Sequence, residues 1–510
     1  MKVSTLLEGA GTGILLTLGL TWNHLSSYHL DLYHRQLPIT SVIRAVNIDL
    51  LAACFFGILV VWLLHRVDAK NRTLLWALFA AAVAARAVGG LIADELITRQ
   101  GVTPLRIFLL VFAAGASLWI LKRSWYSLAI RGIQGVLVLL GFCTLWIPAQ
   151  LLHLGSVHQP QDKLAFSTAV PSHPVPHRRV VWLLFDEASY DQIFDHRQSG
   201  LALPNFDRLH EESTTFSDVT PAGYMTEEVL PSLLLGQPVQ QIRSTKTGDL
   251  LLRSIRQGEW KPFDPNATLF ADAQRMHLTT GLVGSYNPYC RLLPQQLNVC
   301  WTQLLLFTDH FSGEKSTMQN VFAPVYATLA RTFHLPIEHT PTDAEKFHSL
   351  MDAAQGLLRN EDIDFAFVHL PVPHPPGLYH RNTGLMAPGG SYIDNLALAD
   401  RTLGELQATL ANTASAPMTT LIVSSDHSWR VPMWRNAIGW TKEDEQASGG
   451  RFDTRPLLMV QLPGQSQPQT ITQSFPALKE HDMIENFLQS PTTQQELDAW
   501  IAKQNWLRKG

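Results

Sequence analysis

The apolar run VVWLLF ends in Asp186-Glu187. IDFAFVH ends in His369, with LPVPHPP and its His374 close behind, and TTLIVS ends in Ser425-Asp426-His427. Carboxylates and imidazoles are the side chains that hold divalent cations and move protons, and here they collect at the ends of separate apolar runs. In MTEEVLPSLLLG, Thr226 precedes two acids and a Leu-rich stretch. It reads as a helix N-cap, where a hydroxyl faces the positive end of the helix dipole and can be held against a cation that favours its alkoxide. Each residue alone is an ordinary turn or cap residue. Their coincidence is what points to a site.

The elements that must position them follow from the pattern. From about residue 179, short apolar runs alternate with helical stretches, which predicts an α/β domain with a mostly parallel sheet. Strands are expected at 180–185, 278–284, 363–369, 419–424 and 456–462, all near-continuous apolar runs of the kind buried parallel strands show. In such folds, functional groups lie just beyond the carboxyl ends of strands, where Asp186 and Asp426 fall, while His369 closes its own run.

The front of the chain differs. Of 510 residues only 16% are charged against 46% hydrophobic, and residues 1–155 hold 12 Lys/Arg and 6 Asp/Glu against 27 and 37 in the remainder. Five apolar stretches, roughly 6–22, 43–64, 74–93, 105–121 and 133–152, approach the ~20 residues a helix needs to cross a bilayer. Arg66, Lys70 and Arg72 follow the second, and Lys122, Arg123 and Arg131 follow the fourth, so both loops are expected to face the cytoplasm. Five crossings then place everything after about residue 155 outside. Arg86 lies in the third stretch, where snorkelling toward Asp94 and Glu95 competes with contact to a lipid phosphate.

The expected organisation is therefore a transmembrane bundle over 1–154, a proline-rich linker over 155–178 and an extracytoplasmic catalytic domain over 179–510. The acidic rear half carries no basic stripe interleaved with aromatics, which argues against nucleic-acid binding. Cys54 and Cys143 sit in apolar runs. Cys290 and Cys300 flank a polar loop, and a disulfide between them suits an oxidising compartment.

Over roughly 180–465, VVWLLFDEASYD, LPNFDRLHEESTTFSDV, MTEEVLPSLLLG, HLPVPHPP, VSSDHSWR and RPLLMVQLPGQ come in an order that resembles the alkaline phosphatase superfamily in its sulfatase-like branch. The resemblance implies an alkaline-phosphatase-like fold with Thr226 as nucleophile and one divalent metal, zinc or manganese, held by Asp186, Asp426, His427 and the Thr226 oxygen, with help from Glu187. It also implies His374, ahead of His369, as a contact to the transferred group. Arg430 is expected as a phosphate clamp or a surface salt bridge, and Trp429 as its neighbour at the substrate. Two departures narrow the reading. The C/S-x-P-x-R motif of formylglycine sulfatases is replaced by Thr226-Glu-Glu-Val-Leu, and no histidine occurs between His427 and His481 for a second metal.

A Thr nucleophile, one metal and membrane spans together look like the phosphoethanolamine and phosphoglycerol transferases. Their implied partners are a phospholipid donor and an envelope lipid or glycan acceptor at a bacterial-type inner membrane. A hydrolase of the same superfamily, or an inactive envelope protein, are the competing expectations. Residues 286–340 match no motif.

Overall fold

The computed structural model describes residues 2–15, 39–80, 126–146, 148, 149, 152, 164–245, 249–254, 258–303, 342–435, 437 and 439–503. The described residues before 153 and those from 164 onward belong to two compact units.

In the first unit, helix α1 covers 3–15, α2 Ile39–Leu64, α3 69–80 and α4 Tyr126–Cys143. Among the described residues, one helical stretch is long and apolar enough to cross a bilayer, Val46–Leu64, with mean hydropathy 2.2; Leu128–Cys143 is apolar but shorter. The stretch 105–121, most of 74–93 and Arg86 lie outside the described residues. Gly9, Gly13 and Gly57 let α1 and α2 meet backbone to backbone, since a Cβ on Gly9 would run into the Ile58 backbone and one on Gly57 into Gly9 and Gly13. Gly11 and Gly141 do the same for α1 and α4. Small residues at helical spacing are how apolar helices gain contact where water supplies no driving force.

The second unit is built on a nine-stranded sheet. Its strands are β1 Ala165–Ser167, β2 Arg179–Phe185, β3 Thr214–Phe216, β4 Thr280–Ser285, β5 Val299–Gln303, β6 Phe365–Leu370, β7 Thr419–Ser425, β8 Leu458–Gln461 and β9 Gln469–Ile471. Their order is β1-β5-β4-β6-β2-β7-β8-β3-β9. The five strands from β5 to β7 are parallel. β8, expected simply as a closing strand, runs antiparallel to β7. β1 comes from the expected linker: residues 165–167 satisfy the edge of β5 as an antiparallel strand instead of crossing free.

Both faces of the sheet are covered, so successive residues of β2 serve opposite cores. Val181, Leu183 and Phe185 pack in the layer with α5 (Pro204–Glu211), α8 (Thr342–Arg359) and α9 (Tyr392–Ala411). Val180, Trp182 and Leu184 pack in the other, with α6 (Thr226–Leu235), α7 (Leu269–Arg275) and α11 (Glu480–Gln489). The short α10 spans Lys442–Ser448. In register, Phe185 stands between Leu370 and Ser425, so the carboxyl ends of β6, β2 and β7 finish side by side. The Cys290–Cys300 disulfide forms, with Cα atoms 5.6 Å apart, and ties the turn Tyr289–Leu292 to β5.

Among the described residues, no ion pair is made by the buried acid Glu480. Glu480, at the start of α11, is fully buried, and burial pushes it up to about 8 despite Ser424 beside it. The unfolded chain gives up this proton near the ordinary value and the folded chain holds it to about 8. Stability therefore falls as pH rises through that window, by at most ~1.4 kcal/mol per pH unit. Glu480→Gln, which cannot ionise, is expected to flatten the fall and to melt above the wild type at pH 8 but not at pH 5. Thermal unfolding at the two pH values checks this.

Candidate active site

Asp186 is the first residue beyond β2, and its N–H donates to the Leu370 carbonyl, extending the β2–β6 pairing by one bond of 2.9 Å. Asp426 and His427 are the first residues beyond β7. Thr226 opens α6, but Met225 is the N-cap, in extended backbone with no side-chain cap bond. The expected cap role of Thr226 is thus corrected: shifted one position into the helix, its hydroxyl leaves the helix end and faces the strand ends. Thr226 Oγ1 lies 3.1 Å from His427 Nε2 and 3.5 Å from Asp186 Oδ1. His427 Nε2 is 3.0 Å from Asp426 Oδ2 and 3.8 Å from Asp186 Oδ1.

This geometry suits an ion better than a hydrogen-bonded cluster. Asp426 Oδ2 is buried and makes no hydrogen bond, although it is 3.0 Å from an imidazole nitrogen. His427 Nδ1 faces the Ser428 carbonyl at 3.1 Å, which makes that nitrogen the donor and leaves the Nε2 lone pair for the cluster. Asp426 Oδ1 accepts from the amides of Glu187 (3.1 Å) and His427 (2.8 Å), fixing the carboxylate so that its other oxygen faces inward. Asp186, Asp426 and His427 offer ligand atoms close enough to share one cation. With the Thr226 oxygen the donor set is three oxygens and one imidazole, which zinc and manganese both accept.

The electrostatics agree. Burial pushes Asp186 well above the usual carboxylate range, reinforced by Asp426 and Glu187, with Arg430 pulling the other way. Asp426 is also buried, which would raise it, but His427 beside it outweighs burial and holds it low. Two carboxylates compete for too little positive charge, a conflict that a divalent cation relieves.

The remaining expected residues divide. Glu187 is not part of the convergence. Its carboxylate is ion-paired with Arg430 and accepts from Trp434 Nε1, 2.9 Å from each oxygen. Its backbone holds a left-handed φ of 66°, fixed by the bond to Asp426 and by Tyr392 Oη donating to its carbonyl at 2.9 Å. Arg430 is not a surface salt bridge: it is 3% exposed, its Nε is paired with Glu187 and its Nη1 donates to Met225 Sδ at 3.3 Å.

Trp429 is 2% exposed and sandwiched between Tyr392, 4.1 Å away and parallel, and Trp440 at 5.3 Å, so the expected substrate contact is corrected to a packing role. Asp191, the acid that closes VVWLLFDEASYD, bonds Gln192 and His196 within its own turn. His374 is half-buried, its ring edge-on to Trp434 at 5.1 Å, and its loop carbonyls converge on the Asn395 amide.

His369, fully buried, is pushed down to about 4, chiefly by burial; His374, half-buried, is pushed in the same direction by the part of its ring that is covered. At neutral pH each ring is uncharged, so hydrogen-bond donation is available without the imidazolium expected of a general acid; a phosphoryl anion would pull both upward. The sequence names Ser425 only as the residue ahead of Asp426 and gives Trp434 no role. Ser425 Oγ accepts from Ala188 N (2.8 Å) and donates to the His427 carbonyl (2.7 Å), joining the two ligand-bearing turns. Its place in SSDH, at a strand end, is the signal that marks it.

The family model described as Sulfatase matches residues 178–474, more than half of the chain. The chain belongs to the sulfatase family. It is an enzyme of the alkaline phosphatase superfamily, with that superfamily's α/β fold around a large, mostly parallel sheet. No curated protein matches the sequence. Solved structures similar to this sulfatase-family chain include Ps i-CgsB in complex with k-i-k-neocarrahexaose, at 15% identity over 64% of this chain and 77% of that one, TM-score 0.43. The phosphonate monoester hydrolase of Agrobacterium radiobacter matches at 16% over 61% and 74%, TM-score 0.39. Murine ectonucleotide pyrophosphatase/phosphodiesterase 5 matches at 12% over 62% and 96%, TM-score 0.36. Sulfatase-family proteins use a metal ion, and Asp186, Asp426 and His427 are the residues of this member suited to hold one.

Proposed function

We propose that this sulfatase-family protein is a membrane-anchored transferase. It moves a phospho-alcohol group, such as phosphoethanolamine or phosphoglycerol, from a phospholipid to an envelope lipid or glycan through a phospho-threonine at residue 226. The observation that carries the reading is the Thr226 hydroxyl 3.1 Å from His427 Nε2 and 3.5 Å from Asp186 Oδ1, free of any helix-capping bond. A zinc or manganese ion held by Asp186, Asp426, His427 and this hydroxyl would lower its pKa and offset charge on the phosphoryl oxygens.

Thr226 Oγ1 bonds to phosphorus as the bond to the diacylglycerol oxygen breaks, and the departing oxygen takes up a proton. An acceptor hydroxyl then reverses the exchange and restores Thr226. His374 and His369 supply neutral N–H donors to the phosphoryl group. The apolar stretches before residue 155 support an anchor of about five spans in a bacterial-type inner membrane, with 179–510 on the outer side and 155–178 connecting them. The Cys290–Cys300 disulfide fits that side.

Membership of a family named for hydrolysis favours a second reading, in which water takes the acceptor's place. Incubation of the full chain with head-group-labelled phospholipid, with and without lipid and glycan acceptors, separates the two. The transferase reading expects label on the acceptor and free diacylglycerol. Label released only as the soluble phospho-alcohol, at a rate indifferent to acceptor, selects the hydrolase.

A further inference from the structure

Glu187 follows the ligand Asp186 directly, yet its carboxylate is turned away from the cluster. It is fully buried, ion-paired with Arg430 Nε, and accepts from Trp434 Nε1 at 2.9 Å on each oxygen. The guanidinium is held at its other end by Met225, whose Sδ accepts from Nη1 at 3.3 Å. Met225 precedes the nucleophile, so the arginine ties the turn that carries Asp186 to the start of α6. Its charge bears on both Asp186 and Asp426.

The charges then match in two sets. Asp186 and Asp426 balance one divalent ion, and Glu187 balances Arg430. Among the described residues, Arg430 is the one Lys or Arg paired with an acid of this group. His369 adds no charge, because burial pushes it down to about 4. A site so balanced takes an anion of one charge at modest electrostatic cost. A second charge on the same phosphoryl group meets three buried carboxylates where water screens little. An unpaired guanidinium would supply the missing charge, as it does where arginine grips phosphate. Here the glutamate takes it.

We infer that Glu187 is a specificity-determining residue that acts through Arg430: by pairing with the guanidinium it keeps the site too poor in positive charge for a phosphomonoester dianion, and so selects the singly charged diester. That the ligand is a phosphorus ester rests on the transferase reading; the limit of one charge does not.

Isothermal titration of the zinc-loaded full chain with dimethyl phosphate and with methyl phosphate reads the effect without turnover. Methyl phosphate loses its second proton near about pH 6, so it is doubly charged at pH 8 and mostly singly charged at pH 5.5, while the diester keeps one charge. At pH 8 the wild type is expected to bind the diester more tightly by about tenfold or more, and at pH 5.5 the two should bind alike. Glu187→Gln, which keeps the shape and releases the guanidinium, should close the difference at pH 8 by tightening methyl phosphate about tenfold. A purely structural role for Glu187 would weaken both esters together and leave their ratio. If Glu187→Gln fails to fold, the two pH values on the wild type carry the test. Equal binding of the two esters at pH 8, binding of neither, or a wild-type ratio in metal-loaded Glu187→Gln overturns the inference. A ratio that behaves as expected beside failed transfer of labelled head group sinks the transferase reading and leaves this one standing.

Discussion

Thr226→Ala is expected to leave the protein folded and to stop turnover. The residue is 3% exposed at the first position of α6, yet its hydroxyl makes no capping bond and Met225 ends the helix without it. Removing the hydroxyl therefore costs the helix little, within about 1 kcal/mol, as for a substitution that opens no large cavity. Chemistry loses its attacking atom, and deleting a nucleophile that works as a unit with its activators lowers kcat by about 10⁴-fold or more. Thr226→Ser keeps the oxygen and loses only the methyl group that fixes its direction, so it should recover part of the activity. Steady-state kinetics beside thermal melts of the three proteins check the pattern. A Thr226→Ala protein that turns over like the wild type would remove the nucleophile from the account.

Asp426→Asn is expected to empty the metal site without unfolding it. Oδ1 accepts from the amides of Glu187 and His427, and an asparagine carbonyl oxygen can take both bonds. What changes is Oδ2, the buried oxygen 3.0 Å from His427 Nε2, which becomes an amide NH₂ facing the nitrogen that should share the ion. Metal content should fall from about one ion per chain to near zero, and activity by about 10³-fold or more. Glu187→Gln is the contrast. Glu187 is turned to Arg430 and Trp434, so this change should disturb the turn but leave the metal in place. Elemental analysis of the two purified variants decides. Equal metal loss in both would put Glu187 back among the ligands.

The ligand cluster was legible in the sequence because parallel strands buried on both faces are unbroken apolar runs, and the break in each run marks the strand end where polar groups can reach a pocket. Asp186 and Asp426 are each the first polar acid after such a run, and the parallel register of β2 with β7 does the rest. What the sequence could not give was direction after the chain leaves the sheet. Trp429 and Arg430 follow the Asp-His pair at once, yet one indole is captured by Tyr392 and Trp440, which come from α9 and the segment before α10, and the guanidinium is captured by Glu187.

Those partners are distant in sequence and share no spacing with the pair. Tyr289 is a further case: its hydroxyl lies 2.8 Å from Nδ1 of His369, 80 residues on, and no local pattern announces the pair. The one-position shift of Thr226 from cap to first turn is smaller than propensity can resolve, although it decides whether the hydroxyl serves the helix or the site.

A phospho-threonine intermediate is read out by mass spectrometry of the peptide containing Thr226 after the full chain, loaded with zinc or manganese, meets phospholipid donor without acceptor. A phospho-alcohol adduct on Thr226 is expected, absent from Asp426→Asn and discharged when acceptor is added. Product formation with Thr226 unmodified at every time point, or an adduct on another residue, would contradict it.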